Sequence, residues 1–135
     1  QKRGLLKHLT KMQRVIKFRF FDKTLKSMGH RRPNTYDFDH EEIIPMQYTG
    51  MKDCKGKEIY EGDIIGDLTE VDGKMEQSKL TVYFDERLGE WMLDCSKDQD
   101  QSLSYALFKE LEDFKYEVIG NIYEHAGLLH RAVGV

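Results

Sequence analysis

Five residues within six positions carry side chains that can bind hard metal ions. They are Asp37, Asp39, His40, Glu41 and Glu42. Clustered carboxylates are the ligands that calcium and magnesium prefer. The spacing, however, matches neither the calcium-binding loop with its alternating acids nor a His-Glu-x-x-His zinc helix. We therefore interpret the cluster as a solvated acidic loop and predict no metal ligand.

Cys54 is the residue best placed for nucleophilic chemistry, because Lys52, Lys55 and Lys57 lie within three positions of it. Nearby cations raise the fraction of reactive thiolate. The spacing places no histidine and acid beside this cysteine, and the chain lacks both the Gly-x-x-x-x-Gly-Lys and the Gly-x-Gly-x-x-Gly phosphate-binding loops. These observations predict no catalytic residue and no cofactor, and hence a protein that is not an enzyme.

The two cysteines, Cys54 and Cys95, are too few for a disulfide framework. We therefore expect two free thiols in a reducing compartment. No apolar run approaches the roughly 20 residues that a membrane-spanning helix needs, and the first residues do not form the apolar region of a signal peptide. The expected location is the cytoplasm, without a membrane partner.

Charge is divided unevenly along the 135-residue, 15.9 kDa chain. Residues 1–32 hold eleven Lys and Arg and one acid, which is +10, whereas residues 33–135 carry −13, leaving −3 overall. A basic segment favours an anionic partner, either nucleic acid or an acidic protein surface. The residues that would contact phosphates are Lys2, Arg3, Lys7, Lys11, Arg14, Lys17 and Arg19.

An apolar stripe runs through the same basic segment. Leu5, Leu6, Leu9 and Met12 recur at helical spacing, which predicts a short amphipathic helix over residues 3–13. A helix of this length is marginal alone in water and needs a surface to pack against. The acidic remainder of the same or a neighbouring copy offers one. We therefore favour a homo-oligomer held by these four side chains, with nucleic-acid binding as the alternative.

Alternation of side chains indicates that strands follow this basic segment. Residues 15–21 alternate between apolar and basic residues, which predicts a half-buried strand. In this strand we expect Phe18 and Phe20 on the inner face and Lys17 and Arg19 on the outer face. The aromatic rings are then directed to a core rather than to a nucleic-acid base.

The middle of the chain is rich in turn residues. Residues 22–34 are polar and basic and indicate a loop or a weak hairpin, and residues 43–46, which include a proline, can form only a short edge strand. Glycines and aspartates between residues 50 and 63 predict sharp turns. A strand over residues 64–71 and a turn at residues 72–73 should follow.

The second half predicts a hairpin, a helix and a last strand. Residues 80–84 and 91–93 alternate around a glycine-containing turn, which is typical of a hairpin. Residues 103–115 show a helical apolar stripe after the capping residue Ser102. Residues 116–123 form the last predicted strand, in which Gly120 marks a bend or a close backbone approach. Short strands separated by such turns favour a mainly β fold, a small antiparallel barrel or coiled sheet with an N-terminal amphipathic helix and one later helix.

Four segments of the chain resemble the YopX family of small proteins carried by bacteriophages and prophages. They are residues 16–19, 46–53, 56–65 and 118–124, with the sequences IKFR, MQYTGMKD, GKEIYEGDII and VIGNIYE. The resemblance covers about residues 15–129 and implies a mainly β domain with an SH3-like roll. It implies no catalytic residue, because the family's pattern defines none and its biochemical role is unassigned.

These observations divide the chain into a basic amphipathic arm (residues 1–14), a YopX-like β domain (residues 15–124) and a C-terminal tail (residues 125–135). The glycines and aromatic residues of the central motif are better explained by turns and packing than by binding. We predict an uncharacterised phage or prophage accessory protein in the bacterial cytoplasm. It would be a non-catalytic interaction module whose partner is a second copy, or an unidentified phage or host protein.

Overall fold

A computed structural model of the chain describes residues 14–95 and 103–129. These residues form eleven strands and two short α-helices, with all strand pairs antiparallel. The prediction of a mainly β chain with a coiled antiparallel sheet is confirmed, because one of the two main sheets curls into a half-barrel. The predicted helix over residues 3–13 lies outside the described residues. No helix within them is long and apolar enough to cross a bilayer.

The first sheet has four strands in the order β2-β1-β3-β4. They are β1 (Phe18–Asp22), β2 (Ser27–His30), β3 (Ile43–Lys52) and β4 (Glu58–Tyr60). The weak hairpin predicted after β1 is therefore formed by β1 and β2. The prediction of a short edge strand over residues 43–46 is wrong, because β3 runs for ten residues between two neighbours. Pro45 is tolerated because this half of β3 pairs with β1 alone, whereas β4 pairs with the other half.

The strand predicted over residues 64–71 is interrupted at Asp67. β5 (Asp63–Gly66) and β6 (Leu68–Val71) lie on either side of it and pair with different neighbours. The backbone N–H of Ser78 donates to the Asp67 carbonyl at 3.0 Å, and the Asp67 N–H donates to the Ser78 hydroxyl at 3.2 Å. These two bonds close the base of a separate hairpin.

This separate hairpin joins β6 to β7 (Lys74–Gln77). Asp72 and Gly73 both have positive φ, 51° and 78°, as a two-residue hairpin turn requires. The predicted turn at residues 72–73 is confirmed.

The second sheet has five strands in the order β10-β9-β8-β5-β11. The strands not yet given are β8 (Leu80–Asp85), β9 (Glu90–Asp94), β10 (Ser104–Ala106) and β11 (Glu117–Asn121). β8 and β9 form the predicted hairpin, with Val82 opposite Leu93. Both side chains belong to the main core, together with Ile59, Ile65, Leu80, Leu107 and Tyr116.

The later helix starts four residues beyond its predicted beginning at residue 103. α2 spans Leu107–Asp113, and residues 104–106 form β10, where Tyr105 pairs with Leu93. The apolar stripe therefore serves two elements. Residues 104–106 pair with the edge of β9 although their local pattern favours a helix. The helix then begins at Leu107, which is fully buried. The predicted capping serine lies outside the described residues.

The acidic segment that was predicted to be a loop contains a short helix, α1, which spans Thr35–Asp39. Asn34 and Asp37 form a capping box, because the Asn34 side chain accepts the Asp37 N–H and the Asp37 side chain accepts the Asn34 N–H. Such a box satisfies backbone donors that the first helical turn leaves free. The helix packs against β3.

β1 is covered on both faces, and this overturns the expected outward position of Arg19. Phe20 and Phe21 are both buried, and Arg19 between Phe18 and Phe20 is only 6% exposed. The prediction that Phe20 points into a core is confirmed. The prediction that Arg19 is on a solvated face is wrong, because Asp63 at the start of β5, a strand of the second sheet, lies against that face.

Gly120 in the last strand is a position of close backbone approach, as predicted. A Cβ atom there would lie 2.8 Å from Leu128 Cδ1 and 2.9 Å from His125 Cβ. The strand register also shifts between Val118 and Gly120. The residues after β11 therefore fold back onto it, and Ala126–Leu128 form a short 3₁₀ helix.

Candidate functional site

A cleft of about 290 Å³ lies where the two sheets meet. Its walls come from β1, β2 and β4 on one side and from β5 and β11 on the other. The central lining residues are Arg19, Tyr60 and Asp63. The cleft exists because β1 and β5, which are distant in sequence, face each other across it.

Arg19 and Asp63 form a buried ion pair at the floor of the cleft. Arg19 Nη2 lies 2.8 Å from Asp63 Oδ1, and Asp63 is 1% exposed. The other carboxylate oxygen, Oδ2, accepts the Tyr60 backbone N–H at 2.7 Å. The guanidinium carbon stands 4.9 Å from the centre of the Tyr60 ring. Burial raises the pKa of Asp63, and the charge of Arg19 opposes that shift.

The ion pair leaves one donor and one acceptor without a hydrogen bond. Within residues 14–95 and 103–129, neither Arg19 Nε nor Asp63 Oδ1 has a hydrogen-bond partner, although both atoms are buried. Oδ1 is nevertheless the ion-pair partner of Nη2, 2.8 Å away. Arg19 Nη2 also donates to the Glu61 carbonyl at 3.3 Å and to the Met46 sulfur at 3.7 Å. Arg19 Nε and Asp63 Oδ1 are closed off from solvent, so the cleft does not present them to a ligand.

The rim of the cleft carries charges of both signs. Lys57, Glu58 and Glu124 line it, and Glu58 also forms an ion pair with Lys17. His125 Nδ1 accepts the Asn121 backbone N–H at 3.1 Å, so a neutral His125 holds its proton on Nε2. A rim of this composition has no strong preference for either sign of charge.

Few of the phosphate-contact candidates fall within the described residues. Lys2, Arg3, Lys7 and Lys11 lie outside them, as do the predicted oligomer contacts Leu5, Leu6, Leu9 and Met12. Arg14 is exposed. The structure brings Lys17 to Glu58 and Arg19 to Asp63, so both cations have an acidic partner of their own.

The acidic cluster after residue 36 is divided by the fold. Asp37 is buried and accepts two hydrogen bonds from the Arg31 guanidinium. The hydrogen bonds from Arg31 hold the pKa of Asp37 below its ordinary value. His40 instead stacks on Tyr36, with ring centres 4.5 Å apart. Across the described parts of the chain, no group of three His, Cys, Asp or Glu side chains is arranged to hold a metal ion.

The two cysteines are free thiols, as predicted, with Cys54 exposed and Cys95 half-buried. Of the three lysines near Cys54 in sequence, Lys55 lines a shallow cleft with it, whereas Lys52 and Lys57 do not. Lys52 and Lys57 flank the turn that carries Cys54, and Lys55 forms an ion pair with Glu117.

Three buried polar residues in or beside turns hold the backbone together. Asp53, Asp63 and Asn121 each accept backbone N–H groups, and all three are buried. This supports the interpretation of the central motif as turns and packing. The unpaired atoms of Arg19 and Asp63 were not predicted. The available signal was an arginine between two phenylalanines of a buried strand, since a charge in such a place needs a partner.

Comparison with known proteins supports the family resemblance. The family model described as YopX protein matches residues 11–130, which is most of the chain. No curated protein matches the chain significantly. Among solved structures, the crystal structure of protein EF1440 from Enterococcus faecalis is similar, with a TM-score of 0.62 and 22% identity. The match covers 87% of this chain and 100% of that one, and it shows a shared fold. On the strength of the family match over residues 11–130, the chain belongs to the YopX family.

Proposed function

We propose that this YopX-family protein is a non-catalytic interaction module of phage or prophage origin that self-associates through its N-terminal arm, residues 1–14. The observation that carries the proposal is the exposure of Val15 and Ile16. These two aliphatic side chains are 61% and 63% exposed at the entrance to β1. They extend the apolar stripe of the arm up to the edge of the folded domain.

Exposed neighbouring apolar side chains favour association with another surface. The arm that precedes Val15 is basic, whereas residues 33–135 carry a net charge of −13. Complementary charge draws the arm of one copy towards the domain of another, and the apolar stripe supplies the burial that stabilises the contact. The expected assembly is a homo-oligomer in the cytoplasm of a bacterial cell.

The alternative, nucleic-acid binding by the basic segment, has less support. Three of its cations already have acidic partners: Lys17 pairs with Glu58, Arg19 with Asp63 and Arg31 with Asp37. Pairing of this kind reduces the positive charge available to phosphates. A non-catalytic role is supported by the buried acids, because Asp37, Asp53 and Asp63 each accept backbone N–H groups.

Light scattering tests the self-association proposal. The full chain should have a mass of at least twice 15.9 kDa, and a chain lacking residues 1–14 should be a monomer. Ile16→Asp should weaken assembly, because it places a charge in the apolar contact. Leu88→Asp, the same kind of change at an exposed leucine of the β8–β9 turn, should leave assembly unchanged. Monomeric masses for both full and shortened chains at high micromolar concentration would contradict the proposal.

A salt titration with mixed-sequence DNA and RNA tests the alternative. If the arm contacts about six phosphates, the logarithm of the binding constant should fall with the logarithm of salt concentration with a slope near −5. A flat response, or no binding at low salt, would remove nucleic acid as a partner.

A further inference from the structure

The short helix α1 exposes two aromatic side chains. Tyr36 is 56% exposed and Phe38 is 51% exposed. The Phe38 ring meets the ring of Phe18 in β1 edge to face, with ring centres 5.4 Å apart, and about half of the Phe38 side chain stays open to solvent. Exposed aromatic rings grouped in this way are typical of surfaces that contact another protein segment.

Acidic side chains lie between and beside these two rings. Asp37 at the centre of α1 is buried. Since an α-helix turns by about 100° per residue, Asp39 lies on nearly the opposite side, and Tyr36 and Phe38 flank it. Asp39 and the nearby Glu41 are exposed, and neither forms an ion pair with a residue that the structure describes. These side chains form a surface that we call the α1 face, made of Tyr36, Phe38, Asp39 and Glu41.

The arm joins the folded domain next to the α1 face. Ile16 is exposed and lies two positions before Phe18, so the Cα atoms of these two residues are no more than about 7 Å apart. Phe18 in turn contacts Phe38. The exposed apolar side chains at the end of the arm and the rings of the α1 face therefore lie in one region of the surface.

The arm has the composition that the α1 face requires of a partner. Residues 1–14 hold five Lys and Arg and no acid, whereas residues 35–42 hold four acids and no Lys or Arg. Opposite charges draw two such segments together. The predicted helix of the arm also carries an apolar stripe that can pack on aromatic rings, formed by Leu5, Leu6, Leu9 and Met12.

A second exposed aromatic surface, on α2, fits the arm less well. Phe108 is 53% exposed there. However, Lys109 forms ion pairs with the neighbouring acids, Glu112 at 3.9 Å and Asp113 at 3.8 Å. Acids that already have a cation attract a basic segment less than the acids of the α1 face do.

The arm lacks the residues that would turn it back onto its own domain. Residues 5–17 contain no glycine, proline, asparagine, aspartate or serine, and tight turns depend on these residue types. We therefore expect the arm to leave its own domain and to reach another copy. A connection without a turn is also the arrangement that favours exchange of segments between copies.

We propose that residues 1–14 of one copy pack on the α1 face of a second copy and that the exchange is reciprocal, an inference that rests on the proposed function and adds the surface that receives the arm. Reciprocal exchange uses the same two surfaces on both copies, so the assembly closes as a two-fold dimer. The expected mass is twice 15.9 kDa.

Dilution of the ¹⁵N-labelled full chain, followed by NMR, locates the contact. The dilution runs from high micromolar concentration to the range in which light scattering of the same samples shows monomers. The backbone amide signals of Tyr36, Phe38 and Asp39 should shift most, because dissociation of the dimer uncovers them. Packing of the arm on its own domain would not depend on concentration, so these shifts assign the contact to a second copy.

Matched variants test the two parts of the contact. Phe38→Ser should raise the dissociation constant of the dimer at least about tenfold, as loss of an aromatic anchor does, whereas Phe108→Ser removes an equally exposed ring and should change it less than about twofold. Asp39→Lys should raise it about threefold or more through repulsion of the arm. Glu86→Lys makes the same change at an exposed acid of the β8–β9 turn and should not. If Phe38→Ser loses the dispersed spectrum of a folded protein, the two lysine variants decide.

The outcomes separate this inference from the proposed function. A dimer whose shifts centre outside the α1 face, or one that Phe38→Ser and Phe108→Ser weaken equally, would overturn the inference and leave self-association intact. A mass above two chains would overturn reciprocal exchange. Monomeric masses at high micromolar concentration, without concentration-dependent shifts, would overturn the inference and the proposed function together.

Discussion

The carboxylate of Asp53 accepts the backbone N–H of Val118 at 2.8 Å, across 65 positions of sequence. Its other oxygen accepts the N–H groups of Lys55 and Lys57 at 2.9 and 2.8 Å. One buried side chain therefore stabilises the turn before β4 and connects this turn to β11 by a hydrogen bond. Two of the four segments that carry the family resemblance, residues 46–53 and 118–124, are thus joined by a hydrogen bond.

Replacement of Asp53 by alanine should lower the free energy of unfolding by about 2–4 kcal/mol, because it leaves buried backbone donors unpaired. Urea unfolding followed by circular dichroism measures the change. Asp85→Ala is the matched control, since Asp85 also accepts two turn N–H groups, those of Arg87 and Leu88, but in an exposed turn. Its cost should stay below about 1 kcal/mol because water can replace the carboxylate. Equal losses in the two variants would contradict the proposed role of Asp53.

Gly62 combines a left-handed backbone with close packing. Its φ is +85°, and a Cβ atom there would lie 3.1 Å from Met46 Sδ and 3.6 Å from Ile122 Cγ1. Gly56 has nearly the same φ, +84°, but no atom lies within 4 Å of its Cβ position. Gly56→Ala should therefore cost about 1–2 kcal/mol from the backbone alone, and Gly62→Ala should cost at least about 1 kcal/mol more from crowding. Thermal and urea unfolding of the two variants measure the difference. A Gly62→Ala variant no less stable than Gly56→Ala would show that Met46 moves aside freely.

Asp37 should make the protein less stable in acid. Hydrogen bonds from Arg31 lower its pKa in the folded state from the ordinary 3.8. As the pH falls through this range, the unfolded chain takes up the proton first, so this contribution to stability is present above about pH 4 and is lost below it. The carboxyl ¹³C signal of Asp37, followed by NMR against pH, measures the folded pKa directly.

The variant Arg31→Gln removes the cause of this shift. The pKa of Asp37 should rise towards 3.8, and unfolding should depend less on pH in acid, with no change in the direction of the remaining dependence. Arg87→Gln makes the same change at an exposed arginine of the β8–β9 turn and should leave the pKa of Asp37 where it is. An unaltered Asp37 pKa in Arg31→Gln would exclude the ion pair as its cause.

A double-mutant cycle tests the buried pair in the cleft. Arg19→Met leaves Asp63 as an uncompensated buried charge and should cost about 3–5 kcal/mol at neutral pH. Asp63→Asn removes that charge while its side-chain oxygen can still accept the Tyr60 N–H. The combined variant should therefore be more stable than Arg19→Met alone, and urea unfolding of all four proteins measures the interaction. Additive losses would show that the two side chains do not interact across the sheets.

Local patterns were enough to predict several elements of this fold. The β8–β9 hairpin, the turn at residues 72–73 and the close approach at Gly120 follow from side-chain alternation and from backbone conformations that glycine permits. The family resemblance was likewise visible in four short segments and is confirmed over residues 11–130. The arm over residues 1–14 and its oligomer contacts stay predictions, and of the predicted phosphate contacts the structure places Arg14, Lys17 and Arg19.

Tertiary structure decided whether a strand face is buried and whether a segment becomes a strand or a helix. Alternation placed Arg19 on an open face, but the second sheet covers that face and supplies Asp63. Helix propensity predicted that α2 begins at residue 103, but residues 104–106 pair with the edge of β9 as a strand. A single strand shows which side chains share a face, and only the docking of a second sheet decides whether that face meets water, a core or a cleft. The amino-acid sequence by itself therefore determined the mainly β class, the turns and the family, and the tertiary structure determined the buried ion pair and the cleft around it.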